Sequence, residues 1–236
     1  MVMADIDVVI LAGGLGTRLR GVLPETPKIL APVLGRPFLD HVLEWLARQG
    51  VRRVVLGLGY RADDVLAYLE QHPFPALEIR TVVESEPLGT AGALAFARPE
   101  LRSDPVLVMN GDTIVTADLN RFLGAHRTAG TAASILCAEV DDAGRYGRLE
   151  IDSADRVVRF REKDPSASGR AWINAGLYLF GAAAMERIGR LQKGSLERDV
   201  LEKMPEGMIY AFRAAGGFLD IGTPESLAMA AEVLTA

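Results

Sequence analysis

What this chain has little of already limits what it can be. One cysteine in 236 residues, Cys137, excludes an internal disulfide, and its apolar setting from Ala132 to Val140 predicts buried strand filler rather than a nucleophile. There are three histidines. His41 and His126 fall in predicted helices and His72 precedes Pro73, so none stands in a motif as a general base. Lys and Arg never form a run and the net charge is -5, which argues against a nucleic-acid partner. No uninterrupted apolar stretch approaches a bilayer span, so no membrane partner is expected. Met1-Val2-Met3-Ala4-Asp5 carries no basic n-region, and a cytoplasmic location is expected. Internal repeats, low-complexity tracts and linkers are also missing, which predicts one domain over 1–236, long enough to bury a large core.

What is present begins at the start. The apolar strand Val8-Val9-Ile10-Leu11 runs into Ala12-Gly13-Gly14-Leu15-Gly16-Thr17-Arg18-Leu19, and Lys28 follows Pro27. Glycines at a strand's end let the backbone curl until several N–H groups face one anion. Arg18 and Lys28 add positive charge at the same place, which predicts a polyphosphate site. The run is not a Walker loop, because Gly16 is followed by Thr17-Arg18 rather than Lys-Ser/Thr. Nor is it a dinucleotide fingerprint: counting from Gly14 and Gly16, the third small residue is replaced by Leu19.

The first half alternates strand and helix. Strands are predicted at Asp7–Leu11, Arg53–Leu58, Glu78–Val83, Val106–Met109 and Ala132–Val140. Helical faces are predicted around Phe38, Val42, Trp45 and Leu46, around Val65, Leu66 and Leu69, at Leu94 and Phe96, and after the capping Asp118 with Phe122 and Leu123. Continuous Val/Ile/Leu strands fit a sheet covered on both faces, so the expected fold is α/β: a doubly wound, mostly parallel, Rossmann-like sheet with its ligand beyond the strands' carboxyl ends. After about Asp141 the strands shorten to Arg148–Ile151, Val157–Arg161 and Asn174–Phe180. Helices at Ala183–Leu191 and Leu196–Lys203, strands at Ile209–Phe212 and Gly217–Ile221, and a last helix capped by Thr223 with Pro224 behind it complete a small mixed α+β extension.

Two acids stand at strand ends. Asp112 closes Val106-Leu107-Val108-Met109-Asn110-Gly111-Asp112, and Asp220 precedes Ile221-Gly222-Thr223-Pro224. A pair of carboxylates beside a polyphosphate is a common way to hold Mg²⁺, which takes one or two carboxylates plus substrate oxygens. A competing reading makes Asn110-Gly111 the turn of a β-hairpin.

In this order, and over nearly the whole length, these segments resemble the sugar-1-phosphate nucleotidylyltransferases. Leu11 to Leu19 with Pro27-Lys28 carries the most specific likeness. Glu86-Pro87-Leu88-Gly89-Thr90-Ala91-Gly92, Asn110-Gly111-Asp112, Phe160-Arg161-Glu162-Lys163, Ile173-Asn174-Ala175-Gly176 and Asp220 to Pro224 extend it. Among members, the short length and the finish at a last helix look like those that act on D-glycero-α-D-manno-heptose 1-phosphate. Mannose-1-phosphate guanylyltransferases are similar but often carry a further C-terminal β-helical domain.

The resemblance implies transfer of a nucleotidyl group from a nucleoside triphosphate to a sugar 1-phosphate, with release of pyrophosphate and Mg²⁺ as cofactor. It makes 1–140 the nucleotide-binding half and 141–236 the sugar-phosphate half. Leu11, Ala12, Gly13, Gly14, Gly16, Thr17, Gly89, Thr90 and Gly111 would line the nucleotide site, and Arg18 and Lys28 would hold the triphosphate. Asp112 and Asp220 would hold the metal, and Lys163 would grip the sugar phosphate. Gly147 would let the sugar ring approach, with Glu162 and Asn174 at its hydroxyls. Glu84 falls where thymidylyl and uridylyl relatives often place Gln. A carboxylate only accepts, which suits the adjacent N1–H and 2-amino donors of guanine and favours GTP, although some uridylyltransferases also carry Glu there. A homo-oligomer is compatible with all of this.

Two other classes remain open on sequence. Gly57-Leu58-Gly59-Tyr60-Arg61-Ala62 with Glu84 is a passable dinucleotide fingerprint and would mean a nicotinamide oxidoreductase. A non-catalytic sugar-nucleotide sensor would share the site; the presence of Arg18, Lys28, Asp112, Lys163 and Asp220 together predicts an active enzyme.

Overall fold

A computed structural model describes residues 2–19, 21–141, 143, 144, 146–161, 169–214 and 216–235. The chain opens with β1 (Asp7–Leu11), a small ribbon of β2 (Pro32–Val33) and β3 (Arg36–Pro37), and α1 (Phe38–Arg48). β4 (Arg53–Leu58), α2 (Ala62–Gln71), β5 (Glu78–Val83), α3 (Gly89–Ala97) and β6 (Val106–Asn110) follow in strict alternation. Next come β7 (Thr113–Val115), α4 (Leu119–Ala129), β8 (Ala133–Val140), β9 (Arg148–Ile151), β10 (Val157–Arg161) and β11 (Ala171–Phe180). The chain ends through α5 (Ala182–Ile188), β12 (Ile209–Arg213), β13 (Phe218–Asp220) and α6 (Pro224–Thr235).

β5, β4, β1 and β6 lie side by side and parallel, as their helical crossovers require. β11 then joins β6 antiparallel, and β9 and β10 pair antiparallel beyond it. β8 pairs with β11 antiparallel and with β12 parallel. The sheet is thus parallel in its first half and mixed in its second, and it runs unbroken from one half of the chain to the other.

Side chains alternate along the inner strands, and each face takes its own helices. Val8, Ile10, Val54, Leu56, Leu107 and Met109 pack with Phe38, Val42 and Leu46 of α1 and Phe122 of α4. Val9, Val55, Val106 and Val108 face Ala91, Leu94 and Ala97 of α3 and Met185 and Ile188 of α5. Covering on both faces is what the apolar runs predict. β5 departs from that pattern: as an edge strand it is largely exposed.

Two local expectations are corrected. Phe96 is exposed, because the buried side of α3 is made of Ala91, Gly92, Ala93, Leu94 and Ala97. The segment expected as a helix over Leu196–Lys203 is a wider, π-type turn over Leu196–Leu201, opened by Ser195, whose Oγ accepts the Arg198 N–H at 3.3 Å. The competing reading of Asn110-Gly111 as a hairpin turn does not hold: β6 pairs with β1, and β7 beyond it pairs with β13. The Thr223 cap is present, with the Ser226 N–H on its Oγ1 at 3.3 Å.

Candidate active site

The carboxyl ends of β1, β4 and β6 are stitched together by main chain. Ala12 N–H donates to the Gly57 carbonyl at 2.8 Å, and Gly111 N–H to the Leu11 carbonyl at 2.9 Å. A Cβ on Gly111 would lie 2.8 Å from the Leu11 oxygen, so this crossing admits only glycine. The loop that leaves β1 turns at Gly16, whose φ of 57° is left-handed. Thr17–Leu19 then form a single 3₁₀ turn that carries Arg18. Lys28 heads a second such turn, Lys28–Leu30.

Asp112 follows β6, and Asp220 ends β13. The β7–β13 ribbon sets Thr113 opposite Asp220, and Ile221 N–H donates to the Asp112 carbonyl at 2.9 Å. Two acids separated by over a hundred residues therefore sit at one seam. Lys28 Nζ donates to Asp112 Oδ2 and lies 3.9 Å from Asp220 Oδ1. Thr113 Oγ1 donates to Asp112 Oδ1 at 3.1 Å. Gly222 N–H donates to Asp220 Oδ1 at 2.6 Å, and a Cβ on Gly222 would come within 3.0 Å of Arg18 Nη2.

Burial raises the pKa of Asp220, and the negative charge of Asp112 raises it further, against the pull of Lys28, the Gly222 N–H and Arg18. Two half-buried carboxylates, one of them with raised proton affinity, suit a divalent cation. No group of three or more His, Cys, Asp or Glu able to hold a metal occurs among the described residues. A metal at this seam would therefore have to draw its remaining oxygens from water and bound phosphate, which is the habit of Mg²⁺.

Two clefts open from the seam. The first, about 380 Å³, is lined by Leu11, Ala12, Gly13, Gly14, Gly16, Thr17, Glu84, Gly89, Thr90 and Gly111, together with Arg18, Lys28 and Asp112. Glu84 Oε2 accepts the Leu88 N–H at 3.0 Å, and its Oε1 stands 3.0 Å from where a Cβ on Gly13 would be. Burial pushes the Glu84 carboxyl above the usual range, against the pull of the Leu88 N–H. Gly89 and Thr90 also serve the wall itself. A Cβ on Gly89 would collide with the Gly194 carbonyl, and Thr90 Oγ1 accepts the Leu196 N–H at 2.7 Å.

The second cleft, about 290 Å³, shares Arg18, Asn110 and Asp112 with the first and adds Asp220, Gly147 and Asn174. Asn174 is partly committed inside the protein: its Oδ1 accepts the Gly176 N–H at 3.0 Å and its Nδ2 donates to Tyr178 Oη at 2.8 Å. Glu162 and Lys163 lie outside the described residues. Sequence reasoning missed Arg161, Ser195 and Glu197, which also line this cleft. The small polar Ser195 before an amphipathic stretch was the available signal, but it reads equally well as an ordinary helix cap.

The Gly57–Ala62 segment does not form a dinucleotide loop. A Cβ on Gly59 would stand 2.9 Å from the Gly13 carbonyl, and Tyr60 N–H donates to that same carbonyl at 3.3 Å, so these glycines back the first loop instead.

A glycine loop bearing two cations, facing paired strand-end aspartates at the rim of a doubly wound sheet, is the arrangement of a nucleotidyl transferase. The model of the nucleotidyl transferase family matches residues 7–236, and the chain belongs to that family. It is 36% identical to mannose-1-phosphate guanylyltransferase of Mycobacterium tuberculosis over 230 residues, 95% of this chain but 63% of that protein, so it spans less than two thirds of that relative. It is 34% identical to D-glycero-alpha-D-manno-heptose 1-phosphate guanylyltransferase of Aneurinibacillus thermoaerophilus, over 93% of this chain and 94% of the relative. The crystal structure of HddC from Yersinia pseudotuberculosis complexed with GMP-PN is similar at a TM-score of 0.86 and 36% identity, covering 96% of this chain and 98% of that one. No helix among the described residues is long and apolar enough to cross a membrane.

Proposed function

We propose that this chain transfers a guanylyl group from GTP to a sugar 1-phosphate, D-glycero-α-D-manno-heptose 1-phosphate in the first instance, releasing pyrophosphate. Residues 1–236 act as one nucleotidyltransferase domain, with the nucleotide in the first cleft and the sugar phosphate in the second. The observation that carries this reading is the seam, where Arg18, Lys28, Asp112 and Asp220 meet between two clefts sized for two ligands. The 34% identity to the heptose 1-phosphate enzyme supports that sugar, and mannose 1-phosphate is the second reading, on 36% identity.

The sugar phosphate is itself the nucleophile. Its second pKa is about 6, so it is already mostly ionised at neutral pH and needs no general base. The difficulty is bringing two anions together, and catalysis reduces to positioning and charge neutralisation. Arg18 and Lys28 hold the triphosphate and the departing pyrophosphate, while the loop N–H groups around Gly13 and Gly14 cradle it. Asp112 and Asp220 would hold Mg²⁺, which supplies charge neutralisation at the α-phosphate when bound. By the family likeness Lys163 would grip the incoming sugar phosphate and Glu162 a ring hydroxyl, while Gly147 and Asn174 line the second cleft. Displacement is in line, with no covalent enzyme intermediate. Glu84 Oε1 accepts from guanine while Leu88 steadies the other oxygen.

The test is a pyrophosphate-release screen. The four ribonucleoside triphosphates and dTTP are paired with heptose, mannose, glucose and N-acetylated sugar 1-phosphates, with and without Mg²⁺. GTP with a manno-configured sugar should dominate. Release with UTP and a gluco-configured sugar instead would overturn the assignment, and no release with any pair would leave a sensor.

A further inference from the structure

Glu197 stands in the second cleft with a set of partners unlike those of the site's other acids. Asp112 and Asp220 face the ammonium of Lys28. The partners of Glu197 among the described residues are neutral hydroxyls instead. Tyr178 Oη donates to its Oε1 at 3.1 Å and Ser195 Oγ to its Oε2 at 2.7 Å, with Thr90 Oγ1 at 3.5 Å from Oε2. These hydroxyls come from β11, from the cap of the π-type turn and from the first turn of α3, so three elements orient one half-buried carboxylate. Tyr178 is itself fixed by the Asn174 amide, and Thr90 by the Leu196 N–H.

A carboxylate only accepts hydrogen bonds, and each of its oxygens has two lone-pair sites. Tyr178 uses one site on Oε1. A group so restrained, in a cleft open to a ligand, selects for a donor. Its negative charge repels phosphate, so the donor it selects is a hydroxyl. We infer that Glu197 is a specificity-determining residue that accepts a hydrogen bond from one ring hydroxyl of the acceptor sugar, with Tyr178 and Ser195 as its positioning residues. This deepens the proposed function and rests on it.

A hydroxyl-to-carboxylate bond in a half-buried site is worth about 10- to 100-fold in affinity. The experiment is a cycle between protein and substrate. With GTP and Mg²⁺, kcat and KM are measured for whichever sugar 1-phosphate, heptose or mannose, the screen selects and for its analogues lacking one ring hydroxyl at a time, using the wild type and Glu197→Ala. One deoxy analogue should lose about 10- to 100-fold in kcat/KM on the wild type. Glu197→Ala should lose a similar factor on the parent sugar, mainly through the sugar KM with the GTP KM unchanged, and should no longer distinguish that analogue from the parent. If Glu197→Ala still discriminates fully among all the analogues, Glu197 is scaffold and the inference is overturned. If the wild type releases no pyrophosphate with any sugar 1-phosphate, the functional reading falls first and takes the inference with it. Should Glu197→Ala fail to fold, Tyr178→Phe decides. It should raise the sugar KM severalfold and spare the GTP KM, and a change confined to the GTP KM would overturn the inference.

Discussion

Asp7 and Asp220 are the same side chain in shielded positions at opposite ends of the sheet, and they are treated in opposite ways. Asp7, at the amino end of β1, accepts the N–H groups of Arg102 and Ser103 and the guanidinium of Arg53, which itself reaches the Glu100 carbonyl at 2.7 Å. Burial works against its charged form, yet these donors outweigh burial and its pKa falls below the usual range. Asp220, at the carboxyl end, has the Gly222 N–H and a distant Lys28, faces a second carboxylate, and its pKa rises. The amino end is satisfied and contributes stability. At the carboxyl end Asp220 is left short of positive charge, and that shortage is the capacity to take up a cation.

The sharpest way to break this comparison is Asp112→Asn. It removes a charge from the seam and should lower pyrophosphate release by at least about 10³-fold with an unchanged circular-dichroism spectrum; near-normal turnover would take Asp112 out of the chemistry. Next in size is Asp7→Asn. Removing one partner of a buried pair costs about 3 kcal/mol, so chemical denaturation at pH 7 should show that loss while kcat per folded molecule holds. Because the folded-state pKa of Asp7 is lowered, this stability is present above the unfolded carboxylate range. The gap between wild type and variant should therefore close as pH falls through the folded value.

Glu84→Gln should shift the GTP-to-UTP preference in kcat/KM by about tenfold toward UTP, and an unchanged ratio would move base selection elsewhere. The smallest effect has the opposite sign to that of Asp7. With its folded-state pKa raised, Asp220 is penalised when charged, so metal-free Asp220→Asn should melt slightly higher than wild type near pH 7 while losing activity. That gain should shrink as pH falls through the raised value. A lower Tm at pH 7 would mean that Lys28 stabilises Asp220 more than burial opposes it.

The parts of this architecture legible in the sequence are those where local chemistry and tertiary demand agree. β1, β4 and β6 are continuous apolar runs and are covered on both faces. Gly16 turns left-handed where a glycine-rich strand exit predicts a bend, and the two strand-end acids could be paired by asking what a polyphosphate needs. Illegible were the features made by long-range partners. Tyr178 reads as one more apolar strand residue, and only the fold aims its hydroxyl at Glu197. That Lys28 would lie between both aspartates followed from no spacing, since it depends on the β7–β13 ribbon. Phe96 misled because α3 packs through alanine and glycine, whose small size admits the 192–194 loop where a larger face could not.

That ribbon also orders events in time. A chain still emerging from the ribosome, complete only as far as β11, already contains the curled loop, Lys28 and Asp112. It lacks β13, and so the second acid. The two acids of the seam therefore meet only once β13 has been made, so a chain cut before Phe218 keeps Asp112 and loses its partner.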